Sequence, residues 1–326
     1  MKKIISLLLV CLTLLLCLSA CAPKEETPDQ IRVYVLNGTT GFGMAKMMSD
    51  NKDNDLYKFT VQTDASLITS ALINGDVDIA ALPTNAAATI YNKTNGKVKI
   101  LAINTLGCLY LLTKEGTTVN SFADLENKTV YVPAQNPQFI FTDLCKKNGL
   151  TPGTNITIST EFAQPADLRA QVVAGNIDIA VLPEPMVTMA ISGANQNGVT
   201  ITNAMDLTAE WNKVNAPGSL VQGCVVVRTE FLEKYPTAVE NFLKEYKKSI
   251  TFLNENPAEA AAKIVENGIF ANATVAERAI PKCNICYIDG KDMKSAMKVY
   301  LSVLKGINAN AIGGKLPSDD FYYIPE

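Results

Sequence analysis

The feature that most restricts how this chain can fold is an internal repeat. Gly75-Asp76-Val77-Asp78-Ile79-Ala80-Ala81-Leu82-Pro83 returns 100 residues later as Gly175-Asn176-Ile177-Asp178-Ile179-Ala180-Val181-Leu182-Pro183. Apolar residues at helical spacing precede each copy, Leu67, Ile68, Ala71 and Leu72 in the first and Leu168, Val172 and Val173 in the second. A glycine then stops the helix, and a continuous apolar run ending in Pro reads as a buried strand. Upstream of the first copy, residues 31–36 alternate as a strand and pass through a Gly-rich turn into a helix near Phe42. Upstream of the second, a strand at 129–132 runs through Pro133-Ala134-Gln135-Asn136 into a helix at 139–147. Two βαβ-type units at this spacing are too far apart for a solenoid, so they predict two similar α/β lobes, each a mixed, mostly parallel sheet flanked by helices.

The links between lobes are legible as apolar segments with polar or Gly-rich interruptions. Residues 98–113 carry Asn104-Thr105-Leu106-Gly107 in their middle, and Gly-rich sequence flanks the apolar stretch within 218–228. Taken as the two crossings, they predict a first lobe of residues 31–106 and 223–326 and a second of 107–222. Amphipathic helices at 236–254, 257–267, 275–280 and 289–306 lack a strand of their own and are expected to wrap onto the first lobe.

The amino terminus has a different purpose. Lys2 and Lys3 precede an apolar run at 4–18, which has the length of a signal peptide and is short for a membrane span. Leu18-Ser19-Ala20-Cys21 resembles a bacterial lipobox, which implies removal of residues 1–20 and lipid attachment to Cys21, on the outer face of the cell membrane. Residues 21–30, with Pro23 and Pro28, form a short tether. Loss of Lys2 and Lys3 leaves 27 basic residues against 32 acidic ones, so no basic face for nucleic acid is expected. Five cysteines then remain besides Cys21, in no disulfide framework, and Cys283-Asn284-Ile285-Cys286 is a lone C-x-x-C. The chain contains no His, which excludes Ser-His-Asp and Cys-His catalysis and His-bearing metal sites; neither a metal nor a cofactor is expected.

With Leu36-Asn37-Gly38-Thr39-Thr40-Gly41-Phe42-Gly43-Met44, the first repeat continuing into Thr84-Asn85, Leu182-Pro183-Glu184-Pro185 and Gly313-Gly314-Lys315-Leu316-Pro317 in this order behind a lipobox, the chain resembles the type II periplasmic binding proteins. The resemblance is to their NMT1/THI5-like branch, which serves sulfonates, nitrate, taurine and thiamine precursors. It implies a Venus flytrap: two lobes joined by two hinge strands close over a small molecule, and a monomer delivers it to an ABC permease driven by an ATPase. It implies binding without catalysis. The same-fold alternative is an enzyme of the menaquinone-pathway dehydratase type; the fungal pyrimidine synthase of this branch relies on His, which this chain lacks.

Candidate ligand contacts follow from the strand ends. Asn37, Gly38, Thr39 and Thr40 form a strand-to-helix loop whose N–H groups and hydroxyls can converge on an electronegative atom. Thr84 and Asn85 leave the first repeat strand, and Glu184 leaves the second between two prolines that fix its backbone. Gln135 and Asn136 sit at a helix start facing the first lobe, Trp211, Phe139 and Phe141 offer aromatic walls, and Asn104 and Gln222 lie at the expected hinges. Two ligand classes stand open. A thiamine-precursor pyrimidine or similar heteroaromatic amine would use Glu184 and Asn85; a sulfonate or nitrate would use Thr39, Thr40 and helix N-termini. The scarcity of suitably placed cations, with Arg169 on a helix face and Lys46 beyond the first turn, tilts the reading to the amine.

Overall fold

The computed structural model describes residues 26–325, so the expected signal segment and Cys21 lie outside the described residues. Its strands are β1 (Ile31–Leu36), β2 (Tyr57–Gln62), β3 (Ile79–Pro83), β4 (Val98–Leu106), β5 (Leu109–Lys114), β6 (Thr129–Tyr131), β7 (Thr157–Ser159), β8 (Ile179–Pro183), β9 (Ile201–Asp206), β10 (Val221–Arg228) and β11 (Ile285–Asp289). They form two sheets, ordered β11-β4-β10-β3-β1-β2 and β7-β6-β8-β5-β9. The chain leaves the first sheet after Leu106 and rejoins it at Val221.

The repeat proves to be structural as well as textual. β3 and β8 are each buried over four residues, and each follows a helix, Ala65–Asn74 or Pro165–Val173, closed near a left-handed glycine, Gly75 at φ 83° and Gly175 at φ 73°. Each then pairs antiparallel with a crossing strand in the same register: Pro83 through Ile79 face Gly223 through Val227 on β10, and Pro183 through Ile179 face Leu109 through Thr113 on β5. The parallel order expected from the βαβ units holds for β1 with β2 and β3 and for β6 with β7 and β8. The crossing strands arrive from the other lobe and contribute antiparallel pairings instead, so the sheets are mixed throughout.

Equivalent positions differ in what they bury. Asp78, 2 % exposed, accepts from Arg32 through its backbone N, Nε and Nη2 at 2.9, 2.9 and 2.6 Å, and from Arg228 Nη2 at 3.3 Å. Asp178, its counterpart, meets only Lys114 Nζ at 3.1 Å, at an exposed site.

Two elements depart from the sequence expectation. Residues 285–289 form β11, antiparallel to β4, so the carboxy-terminal helices do have a strand partner, and the C-x-x-C sits at its start. Helix Gly290–Ile307 does more than cover the first sheet. Its Met293, Met297, Tyr300 and Leu301 share one apolar cluster with Leu82 and Ile100 of the first sheet and with Ile140, Phe141 and Trp211 beside the second. A further cluster lies under helix Pro236–Glu255, and a third fills the far face of the second sheet. Leu67, expected on the core face of its helix, is exposed, because Ile68, Ala71 and Leu72 alone point at the sheet.

Candidate functional site

Beyond the prolines that end β3 and β8, helices Thr84–Thr94 and Met186–Gln196 begin, and the two lobes meet there. Thr39 Oγ1 donates to the Glu184 carbonyl at 2.8 Å. Asn136 Nδ2 donates to Asn85 Oδ1 at 2.8 Å, and Tyr110 OH donates to the Lys282 carbonyl at 2.9 Å. Each bond joins a group beside the first sheet to one beside the second. Thr39, Asn85, Asn136 and Glu184, all named as candidates from the sequence, are therefore brought together. Tyr110 and Lys282 were not foreseen, since nothing local distinguishes a strand tyrosine or an exposed lysine as cleft residues.

Asn85 and Asn136 share a further property. Asn85 lies in the first turn of helix Thr84–Thr94 and Asn136 opens Asn136–Lys147, and neither helix receives a capping bond from its N-cap side chain. Gln135, the N-cap of the second, is exposed and held at φ 65°. The contact thus joins two helix starts, from opposite lobes, with N–H groups still available in their first turns. Asn136 Oδ1 is buried there without a hydrogen-bond partner.

Other expected ligand contacts turn out to hold the crossing itself. Asn104 Nδ2 donates to the Thr40 carbonyl at 3.1 Å, Cys108 N to Gln222 Oε1 at 2.9 Å, and Thr84 Oγ1 to the Val221 carbonyl at 2.7 Å; Asn284, which was not among the expected contacts, adds a bond from Nδ2 to the Gly107 carbonyl at 2.5 Å. Gly107 admits no larger residue without a shift, since a Cβ there would collide with Thr208 Oγ1 and Leu220. Thr84 is fully buried, its hydroxyl turned to the strand backbone. The loop after β1 also differs from expectation. The N–H groups of Asn37 and Gly38 already donate to the distant carbonyls of Gln62 and Ile269, and that of Gly41 donates to the Gly38 carbonyl, where the single-turn helix Thr39–Phe42 closes on itself. Trp211 is fully buried against Tyr300, 6.0 Å between ring centroids, with Nε1 donating to Ser219 Oγ at 2.9 Å. Its place is the core, as is that of Phe141, whereas Phe139 is partly buried.

Glu184 is 2 % exposed, and its carboxylate caps its own helix: Oε2 accepts from Thr188 N at 3.1 Å and Oε1 from Thr188 Oγ1 at 3.0 Å. Burial raises the Glu184 pKa above the ordinary carboxylate range, opposed by the two Thr188 bonds and by the Lys282 charge. The charged form is therefore better solvated in the unfolded chain. The resulting stability deficit is absent below pH about 4.3 and grows as pH rises towards the folded-state pKa. Glu184→Gln is expected to gain stability relative to the native chain on going from pH 4 to pH 8; parallel denaturation curves at both pH values would contradict the assignment.

Burial also keeps the thiols protonated. Cys108 and Cys286 are each pushed up to about 12, and Cys283, beside them, is well above its usual range for the same reason. Among the described residues no group of three His, Cys, Asp or Glu side chains is placed to hold a metal, and no helix is long and apolar enough to cross a membrane.

Comparison with known proteins places this geometry. No curated protein sequence matches the chain. Among solved structures, an ABC transporter protein from Parabacteroides distasonis is 26% identical with a TM-score of 0.75, the match covering 92% of this chain and 99% of that one. The periplasmic aliphatic sulphonate binding protein SsuA from Escherichia coli shares the fold at 14% identity and a TM-score of 0.73, over 92% and 94% of the two chains. The ligand binding component of an ABC-type import system from Staphylococcus aureus does so at 14% and 0.69, over 91% and 97%. The model of the NMT1/THI5 like family matches residues 58–260, from β2 into the carboxy-terminal helices, and the chain belongs to that family.

Proposed function

We propose that this protein is the extracytoplasmic solute-binding component of an ABC importer, and that its solute is a small anion. The carrying observation is the Asn85–Asn136 contact, which sets two uncapped helix N-termini from opposite lobes against one another. Backbone N–H groups and the positive ends of two helix dipoles then face one point, an environment suited to a sulfonate, nitrate or carboxylate. The heteroaromatic-amine alternative rested on Glu184, and both of its carboxylate oxygens are engaged by Thr188.

In this reading the lobes are 31–106 with 223–326 and 107–222, and the anion favours their closed arrangement because it touches both. A lipid on Cys21 holds the monomer at the outer membrane face beside its permease and ATPase, and no catalytic step takes place. Family resemblance and the structural neighbours support this role. Calorimetric titration with alkanesulfonates, nitrate and aminopyrimidines tests it. An alkanesulfonate is expected to bind, and Asn136→Ala to weaken it about tenfold, the worth of one hydrogen bond to a charged group. Binding of an aminopyrimidine alone, abolished by Glu184→Gln, would overturn the anion assignment.

A further inference from the structure

Next to Glu184 the two lobes border a second feature, an open groove of about 630 Å³. One wall is helix Met186–Gln196 of the second lobe, contributing Thr188, Ser192, Asn195 and Gln196. The other is the end of helix Ala273–Ala279 and the turn after it, contributing Arg278 and Lys282. These are the cations the sequence reading overlooked, because they stand one helical turn apart just before the C-x-x-C rather than near any repeat motif. Among the described residues neither forms an ion pair. The Lys282 charge reaches Glu184, whose carboxylate is turned to Thr188. The lysine is fixed in position through its own carbonyl, which accepts the Tyr110 hydroxyl from the opposite lobe.

We propose that this groove binds an oxyanion between the lobes, Arg278 and Lys282 holding it from one side and Ser192, Asn195 and Gln196 donating from the other. The donor set is one-sided in charge and otherwise made of hydroxyls and amides, the combination that suits a sulfonate, sulfate or phosphate group. A chain with an acidic excess overall places two cations, neither in an ion pair among the described residues, where the first and second sheets' helices meet. An anion touching both walls therefore pulls the lobes together, and loses half its contacts on opening. The oxyanion is either the distal group of a solute whose first anionic group lies at Asn85 and Asn136, which rests on the function proposed above, or a free ion that acts beside the solute.

Isothermal titration of the mature protein and of R278Q/K282Q separates these sources, with sodium sulfate, ethanesulfonate and ethane-1,2-disulfonate as probes. Both side chains are exposed, so the variant is expected to keep the native thermal midpoint in anion-free buffer. If the groove takes the distal group, ethane-1,2-disulfonate binds the native protein about tenfold more tightly than ethanesulfonate, and the variant loses that advantage alone. If it takes a free ion, sulfate binds the native protein without displacing ethanesulfonate, and the variant loses sulfate. Native-like binding of all three probes by the variant overturns the groove and leaves the proposed function intact. Sulfate binding that depends on the two cations, with no sulfonate bound, keeps the groove and removes the anionic solute. No binding of any probe to the native protein overturns both.

Discussion

Asp78→Ala is expected to destabilise the fold by about 3 kcal/mol, whereas Asp178→Ala, at the same place in the second copy of the repeat, changes it by less than about 0.5 kcal/mol. Asp78 is a buried carboxylate that organises two arginines from different strands, Arg32 at the start of β1 and Arg228 at the end of β10, with β3 between them. Removing it leaves the Arg32 guanidinium and N–H without their acceptor in a partly buried place, and leaves Arg228 with Glu230 alone. The value lies at the low end for a broken buried pair because the Arg32 side chain is 36% exposed. Asp178 is itself 66% exposed and faces a single lysine, the kind of surface pair whose worth is small. Chemical denaturation of both variants checks this, and equal losses in the two would remove the claim that one copy alone is clamped.

Trp211→Ala should be costlier still, about 4 kcal/mol, as expected for the largest side chain removed from a closed core. The indole is fully buried, packs on Tyr300 from helix Gly290–Ile307, and donates to Ser219. Because that helix belongs to a cluster reaching both sheets, the loss should lower a single unfolding transition rather than detach one lobe. Scanning calorimetry distinguishes these. A variant that loses under about 1 kcal/mol, or one that melts in two steps, would show that the two halves do not share this core. As the only tryptophan, Trp211 also lets fluorescence follow the same transition in the native chain.

The repeat carried most of what could be read in advance. A glycine-stopped helix followed by a buried strand into Pro is a local pattern, and it located β3 and β8, their helices and the places where the lobes meet. The crossing at Asn104 to Gly107 was equally local. What escaped depends on partners far along the chain. β11 is a five-residue strand whose pairing to β4 shifts register between Ile285 and Ile288, and its apolar residues read more easily as flanks of a cysteine motif. Trp211 looked like a wall for a ligand because its partner, Tyr300, comes from the last long helix. Thr84 and Gln222 stand where ligand contacts belong, yet their polar atoms serve Val221 and Cys108, since a chain that crosses between lobes leaves backbone groups needing partners. Arg278 and Lys282 become cleft residues only when the fold carries them across to Thr188 and Ser192.

The exchange of strands between the lobes bears on how the protein must be made. A chain emerging amino terminus first delivers β1, β2 and β3 early, but the neighbour that covers the inner edge of β3 is β10, which arrives only after the entire second sheet. Until then the most apolar strand of the first half has one open edge, a template for pairing with another molecule. The second sheet has no such wait, because β5 precedes β8. The half that begins the molecule is thus the last to be completed, and a polypeptide with this order gains from being kept unfolded until its full length is present.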